Sequence, residues 1–239
     1  MVMDKGIGIR QAEDLAETAG HLIDFLKLGF GTAYVSKNAA EKVKLYQENH
    51  MHVFVGGTLL EAFLLRDQLD DYLRFVQKLG CDTIEVSDGS IRLPHDEKCR
   101  LIERLSGDFT VLSEVGAKDC AVSLDADAWT ACMQKELDAG SRFVIAEARE
   151  SGTVGIYGKE GAADQALIKS ILQEVGQEKV IWEAPLKQQQ VWFIQSFGAN
   201  VNLGNIAPAE IVALETLRVG LRGDTFFDFI PEAFKQHKR

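Results

Sequence analysis

The stretch Phe143-Val144-Ile145-Ala146-Glu147-Ala148-Arg149-Glu150-Ser151-Gly152 decides how the rest of the chain is read. A short apolar run with β-branched residues at its centre ends on a glutamate and passes into a polar turn marked by glycine. That is the pattern of a buried strand leaving a sheet. The pattern recurs in Thr83-Ile84-Glu85-Val86, in Val111-Leu112-Ser113-Glu114-Val115 and in Val180-Ile181-Trp182-Glu183-Ala184-Pro185. Glu85, Glu114, Glu147 and Glu183 follow one another at intervals of 29, 33 and 36 residues, the length of one strand, one helix and their loops. Apolar runs at this period with helical patterns between them predict repeated βαβ units.

The rest of the chain supplies the other units. Strands are expected at 2–6, 21–27, 52–55 and 201–205. Helices are expected at 11–19, 39–48, 59–79 (in one or two pieces), 95–105, 125–139, 163–175, 187–197 and 208–219. Eight strand–helix alternations are the count of a closed (β/α)8 TIM barrel, here one domain over residues 1–239. No GxGxxG opens the first helix, so the usual mark of a doubly wound open sheet is missing.

Composition narrows the class. The chain has 46% hydrophobic residues and a net charge of −10. That balance argues against nucleic acid or an acidic membrane surface as partner. No apolar run reaches the roughly 18–20 residues of a membrane span. Met1 to Lys5 is charged too early for a signal peptide. Cys81, Cys99, Cys120 and Cys132 form no CxxC pair, so neither a zinc site nor a disulfide framework is expected. The expectation is a cytoplasmic protein with reduced thiols. The possibility of a homo-oligomer stays open.

Residues two apart on a strand share a face. If Glu147 points into the barrel, so does Ile145, while Val144 and Ala146 meet the helices. The same parity turns Glu85, Glu114 and Glu183 inward at the C-terminal ends of their strands, where barrel enzymes keep their chemistry. Lys27 and Asn202 are read as ending strands two and eight in the same way, with Lys5, Lys118 and Arg149 within reach. Acids without His or Cys favour a hard cation held by oxygens, Mg²⁺ first. Two other readings remain open at this point: a structural Lys–Glu network inside the barrel, and a Schiff-base lysine. The turns Gly56-Gly57-Thr58 and Gly204-Asn205 can present N–H groups to phosphate, with Arg218 and Arg222 nearby. The loop 151–161 carries four glycines and suits a lid. The five histidines show no ligand spacing.

Several stretches together resemble the phosphosulfolactate synthase family, in order and from end to end. They are Asp4-Lys5-Gly6, Ile23 to Thr32, Gly56-Gly57-Thr58-Leu59, Ile84 to Gly89, Leu112 to Gly116, Glu147 to Gly152, Glu183-Ala184-Pro185, Asn202 to Ile206, Leu214 to Arg218 and Asp224-Thr225-Phe226. The resemblance implies a Mg²⁺-dependent barrel that adds sulfite to phosphoenolpyruvate and makes (2R)-phospho-3-sulfolactate, the opening of a route to coenzyme M. It implies Lys118 as the general acid, beside Glu147 in the catalytic set. Glu85, Asp88, Glu114 and Glu183 become candidate metal ligands. Lys5, Lys27, Arg149, Asn202, Gly204, Asn205 and Arg222 become candidates to hold substrate. The chain departs from archaeal members at Ala117, where they tend to carry a second lysine, in the segment 120–126, and in a short lead-in before the first strand. Two alternatives stand beside this reading: a related enolate-type enzyme that uses another nucleophile, and a non-catalytic barrel that binds a phosphorylated metabolite.

Overall fold

Parallel strands alternate with helices along the chain. The computed structural model describes residues 1–116, 126–148, 155–157 and 163–237. The elements are β1 (Val2–Asp4), α1 (Ile9–Ala19), β2 (Phe25–Leu28), α2 (Thr32–Val35), α3 (Ala39–Glu48), β3 (His52–Val55), α4 (Gly57–Leu64), α5 (Leu69–Leu79), β4 (Thr83–Val86) and α6 (His95–Ser106). They continue with β5 (Thr110–Val115), α7 (Ala126–Asp138), β6 (Phe143–Ala146), α8 (Gln165–Glu174), β7 (Val180–Glu183), α9 (Lys187–Phe197), β8 (Leu203–Gly204) and α10 (Ile211–Arg218).

All strand pairs are parallel, and the ladder runs β1-β2-β3 and β4-β5-β6-β7-β8. Between β8 and β1 the ring is closed by a bridge from Val2 to Ile206, with the Met3 N–H donating to the Ile206 carbonyl at 2.9 Å. At the β3–β4 joint, side chains take over from the ladder. Asp82 accepts from the Val53 N–H at 3.2 Å and Glu85 from the Gly57 N–H at 2.8 Å. The result is the (β/α)8 barrel that the alternation predicts. No helix among the described residues is long and apolar enough to cross a membrane.

Strand parity divides the apolar residues into two sets. Leu26, Val53, Ile84, Val111, Val144 and Trp182 pack outward against the helices in the larger cluster. Phe25, Phe54, Leu112, Ile145 and Ile181 form a separate plug inside the ring. Large branched and aromatic side chains from successive strands fill the barrel, so it is a core and not a pore.

Some expectations are corrected. Strand two starts at Phe25, because Gly20 to Leu22 form a 3-10 turn. The 59–79 stretch takes the two-piece form that the sequence left open, broken around Asp67, which has a positive φ of 55°. Cys81 and Cys99 are free, but Cys132 is disulfide-bonded, against the expectation of reduced thiols throughout. Spacing along the chain says nothing of which cysteines meet in space.

Candidate active site

The layer above the apolar plug is made of ionisable groups. Lys27, Glu85, Glu114 and Glu183 are the inward-facing residues at the mouth of their strands, and Lys27, Glu114 and Glu183 stand two positions beyond Phe25, Leu112 and Ile181 of the plug. Glu147 follows Ile145 in the same step, one residue past the end of β6. The group lines a cavity of about 410 Å³ at the C-terminal mouth, rimmed by Phe30, Thr58 and Asn205. The mouth comes from strand periodicity alone: one step of two residues exchanges an apolar layer for a charged one.

Lys27 sits at the centre. Its ammonium lies 2.8 Å from Glu85 Oε2, 3.6 Å from Glu114 Oε2 and 3.8 Å from Glu183 Oε1. Burial alone would lower its pKa, but the three carboxylates outweigh burial and hold it well above the ordinary range. It is therefore a fixed cation. The acids are not all anions. Burial pushes Glu114 well above the usual carboxylate range, with Lys27 opposing and the neighbouring glutamates adding to the rise. Burial likewise raises Glu183 to about 7, against the pull of Lys27 and of the Ala148 N–H. Like charges this close share fewer negative charges than they have carboxyl groups.

Each acid is held in its own way. Glu85 accepts from the Gly57 N–H through Oε1 and faces Lys27 through Oε2. Glu183 Oε2 accepts from the Ala148 N–H at 2.8 Å, and its main-chain carbonyl accepts from the Tyr157 hydroxyl at 2.8 Å. Glu147 lies across Gly116, where a Cβ would come within 1.6 Å of Oε2, so any side chain here would displace that of Glu147. Three buried oxygens in the mouth, Glu85 Oε2, Glu183 Oε1 and Asn205 Oδ1, have no hydrogen-bond partner among the described residues, and the first two face the Lys27 ammonium. Asn205 also takes a positive φ of 56°, which Asn tolerates better than most residues.

Other expected site residues stand elsewhere. Asp88 is turned away from the mouth and pairs with Lys98 at 3.1 Å. Asn202 precedes β8 instead of ending it. It lines a second cavity of about 540 Å³ at the opposite end of the barrel, with His52, Arg142 and Arg218, and its Nδ2 donates to the Val180 carbonyl at 3.2 Å. Arg222 lies beyond α10, where its carbonyl accepts from the Thr225 N–H, and is not among the residues lining the mouth. Lys5 is exposed, with its ammonium 5.8 Å from the centre of the Phe30 ring at the rim. Gly204 faces the barrel interior, and its carbonyl is taken by the Ala184 N–H. Lys118, Arg149 and most of the 151–161 loop lie outside the described residues.

Residues that sequence reasoning passed over support the mouth. Asp4 is fully buried and accepts from the Gly6 and Ile7 N–H groups, Lys42 and Tyr46, which fixes the loop that carries Lys5. Glu61, buried in α4, accepts from the Ser87 hydroxyl and from the N–H groups of Gly89, Ser90 and Ile91. Phe30 takes a positive φ of 53°, a strained setting for a bulky residue, at the edge of the cavity. Helical spacing marks Lys42 and Glu61 as surface charges, and only their buried partners reveal otherwise.

Fold and site together define a (β/α)8-barrel enzyme with an oxygen-rich, lysine-centred mouth at the C-terminal ends of its strands. Solved structures agree on the fold: a 3-hexulose-6-phosphate synthase aligns with a TM-score of 0.55 at 16% identity, covering 91% of this chain and 97% of its own. The family model described as (2R)-phospho-3-sulfolactate synthase (ComA) matches residues 1–224. A phosphosulfolactate synthase of Methanothermobacter thermautotrophicus is 42% identical over 94% of this chain and 90% of its own length. One of Bacillus subtilis is 37% identical over 95% and 91%. The chain belongs to the phosphosulfolactate synthase family.

Proposed function

We propose that this chain joins sulfite to phosphoenolpyruvate at the barrel mouth, in a Mg²⁺-dependent reaction that gives (2R)-phospho-3-sulfolactate. The observation that carries this reading is the buried Lys27 ammonium among Glu85, Glu114 and Glu183, in a cavity where the buried Asn205 Oδ1 lacks a hydrogen-bond partner among the described residues. Unpartnered buried oxygens are costly and point to a ligand that completes them.

The donor set suits Mg²⁺. All the groups are oxygens, and Mg²⁺ takes one or two protein carboxylates while water and substrate oxygens fill the rest of its shell. Among the described residues no three acidic, His or Cys side chains form a group that could by itself hold a metal ion. Lys27 stands closest to Glu85, at 2.8 Å, and Asp88 is paired with Lys98, while Glu114 and Glu183 lie 3.6 and 3.8 Å from Lys27, so these two are the acids that would hold the ion. Bound there, Mg²⁺ would supply Lewis-acid stabilisation of charge on the substrate carboxylate.

The chain's own residues do the remaining work. The sulfur lone pair of sulfite forms the bond to C3, the C2–C3 π pair moves toward the carboxylate, and a proton is then delivered to C2. Lys27, fixed and charged, stands where that carboxylate charge develops and needs no rearrangement to meet it. The first turn of α4 at Thr58 offers N–H groups and a favourable dipole end to the phosphate. Lys118, following β5, is assigned the proton delivery to C2.

The test is phosphoenolpyruvate consumption by the purified protein, with sulfite and Mg²⁺ each present or omitted, and with the product identified by mass. Formation of phosphosulfolactate only when all three are present is expected. Consumption with a different nucleophile in a screen would replace sulfite. Phosphoenolpyruvate binding without turnover under any condition would overturn the catalytic reading in favour of a binding barrel.

A further inference from the structure

The ladder between β4 and β5 stops at the pair Val86–Ser113, one residue short of Glu114. Past that point β5 keeps its pairing with β6, at Glu114–Ile145 and Val115–Ala146, but no ladder joins it to the turn after β4, where the mouth begins. Lys98 of α6 fills the gap. Its ammonium donates to the Glu114 carbonyl at 2.6 Å and to Asp88 Oδ1 at 3.1 Å, and pairs with Glu136 Oε1 of α7 at 2.9 Å. Lys98 and Glu136 are 1% and 0% exposed, and neither lines the mouth cavity. On its other side the turn that carries Asp88 is fastened by Glu61. A wholly buried ion pair often adds no more stability than well-packed apolar residues of the same volume. Its placement at the end of a ladder therefore indicates a geometric role.

We propose that Lys98, backed by Glu136, is a positioning residue for the reaction: it ties the end of β5 to the turn after β4 and so sets the place of the Glu114 carboxylate beside Lys27. Lys98 acts through the main chain of Glu114 and touches no substrate. The inference rests on the mouth being the catalytic site.

The test is the double variant Lys98→Met/Glu136→Gln, which removes both fully buried charges together and leaves only the partly exposed Asp88 without its cation. A second variant, Leu105→Ala, lies on the same helix in the outer core and serves as a control for lost stability. In the double variant kcat is expected to fall about 10- to 100-fold with KM for phosphoenolpyruvate little changed, the size of a displacement of about 1 Å. Leu105→Ala is expected to keep wild-type kcat. Wild-type kcat in the folded double variant, or an equal loss in Leu105→Ala, would overturn the proposal. Should the double variant not fold, Glu136→Gln alone decides by the same comparison. Amide hydrogen exchange gives an arm independent of turnover. It is expected to quicken at residues 87–91 and 114–116 in the double variant and not at 110–112. Unchanged exchange there also refutes the positioning role, whereas quickened exchange in a protein without turnover counts against the proposed reaction alone.

Discussion

Glu183→Gln is expected to stabilise the protein above neutral pH while removing its activity. Glu183 is 2% exposed, and its pKa is raised from 4.5 to about 7, chiefly by burial. The unfolded chain releases this proton near the ordinary value, whereas the folded chain keeps it until about pH 7. Because the folded-state pKa is raised, stability falls as pH rises through that window and the loss is complete above it. A rise from 4.5 to about 7, at about 1.4 kcal/mol per pH unit, makes ionised Glu183 a cost of about 3 kcal/mol at pH 8. Glutamine keeps the shape and carries no charge, and its amide oxygen can accept the Ala148 N–H that Oε2 accepts now. The assay is urea unfolding of both proteins in EDTA at pH 8 and pH 5. The variant should be the more stable at pH 8 by up to about 3 kcal/mol, roughly 6–12 °C in Tm for a chain of this size, with the gain shrinking at pH 5. A variant less stable than the parent at pH 8, or an equal difference at both pH values, would refute the account of Glu183 as a strained, buried acid.

Lys27→Met leaves Glu85, Glu114 and Glu183 without their shared cation and should cost about 3–5 kcal/mol at pH 8, and less at pH 5, where the acids can take up protons. Urea unfolding at the two pH values checks this. Gly116→Ala puts a methyl group onto Glu147 and should lower kcat by about 100-fold while circular dichroism stays native. Lys118→Ala should lose roughly 10²–10⁴ in rate with substrate binding largely kept, and normal turnover would remove its assigned role. Asn202→Ala, at the far end of the barrel, should leave both kcat and KM for phosphoenolpyruvate at the parent values.

The sequence by itself determined the barrel and the acid layer at its mouth. Both follow from local rules: side chains alternate every residue along a strand, and a strand–helix unit repeats about every 30 residues. Those rules bring Lys27, Glu85, Glu114, Glu147 and Glu183 to one cavity without any knowledge of what they touch. Asn202 went astray because a two-residue strand leaves almost no pattern, and one or two residues decide which end of the barrel a side chain reaches. Only the tertiary structure decided which charges are spoken for. Asp88 reads as a candidate metal ligand but is paired with Lys98, and the buried partners of Lys98, Glu136 and Glu61 show only in the fold. Their roles depend on how each helix is rotated against the strands and on where the ladder runs out. A buried ion pair is a meeting of residues far apart in sequence, in a place from which water is excluded, and neither that distance nor that exclusion is written in local periodicity.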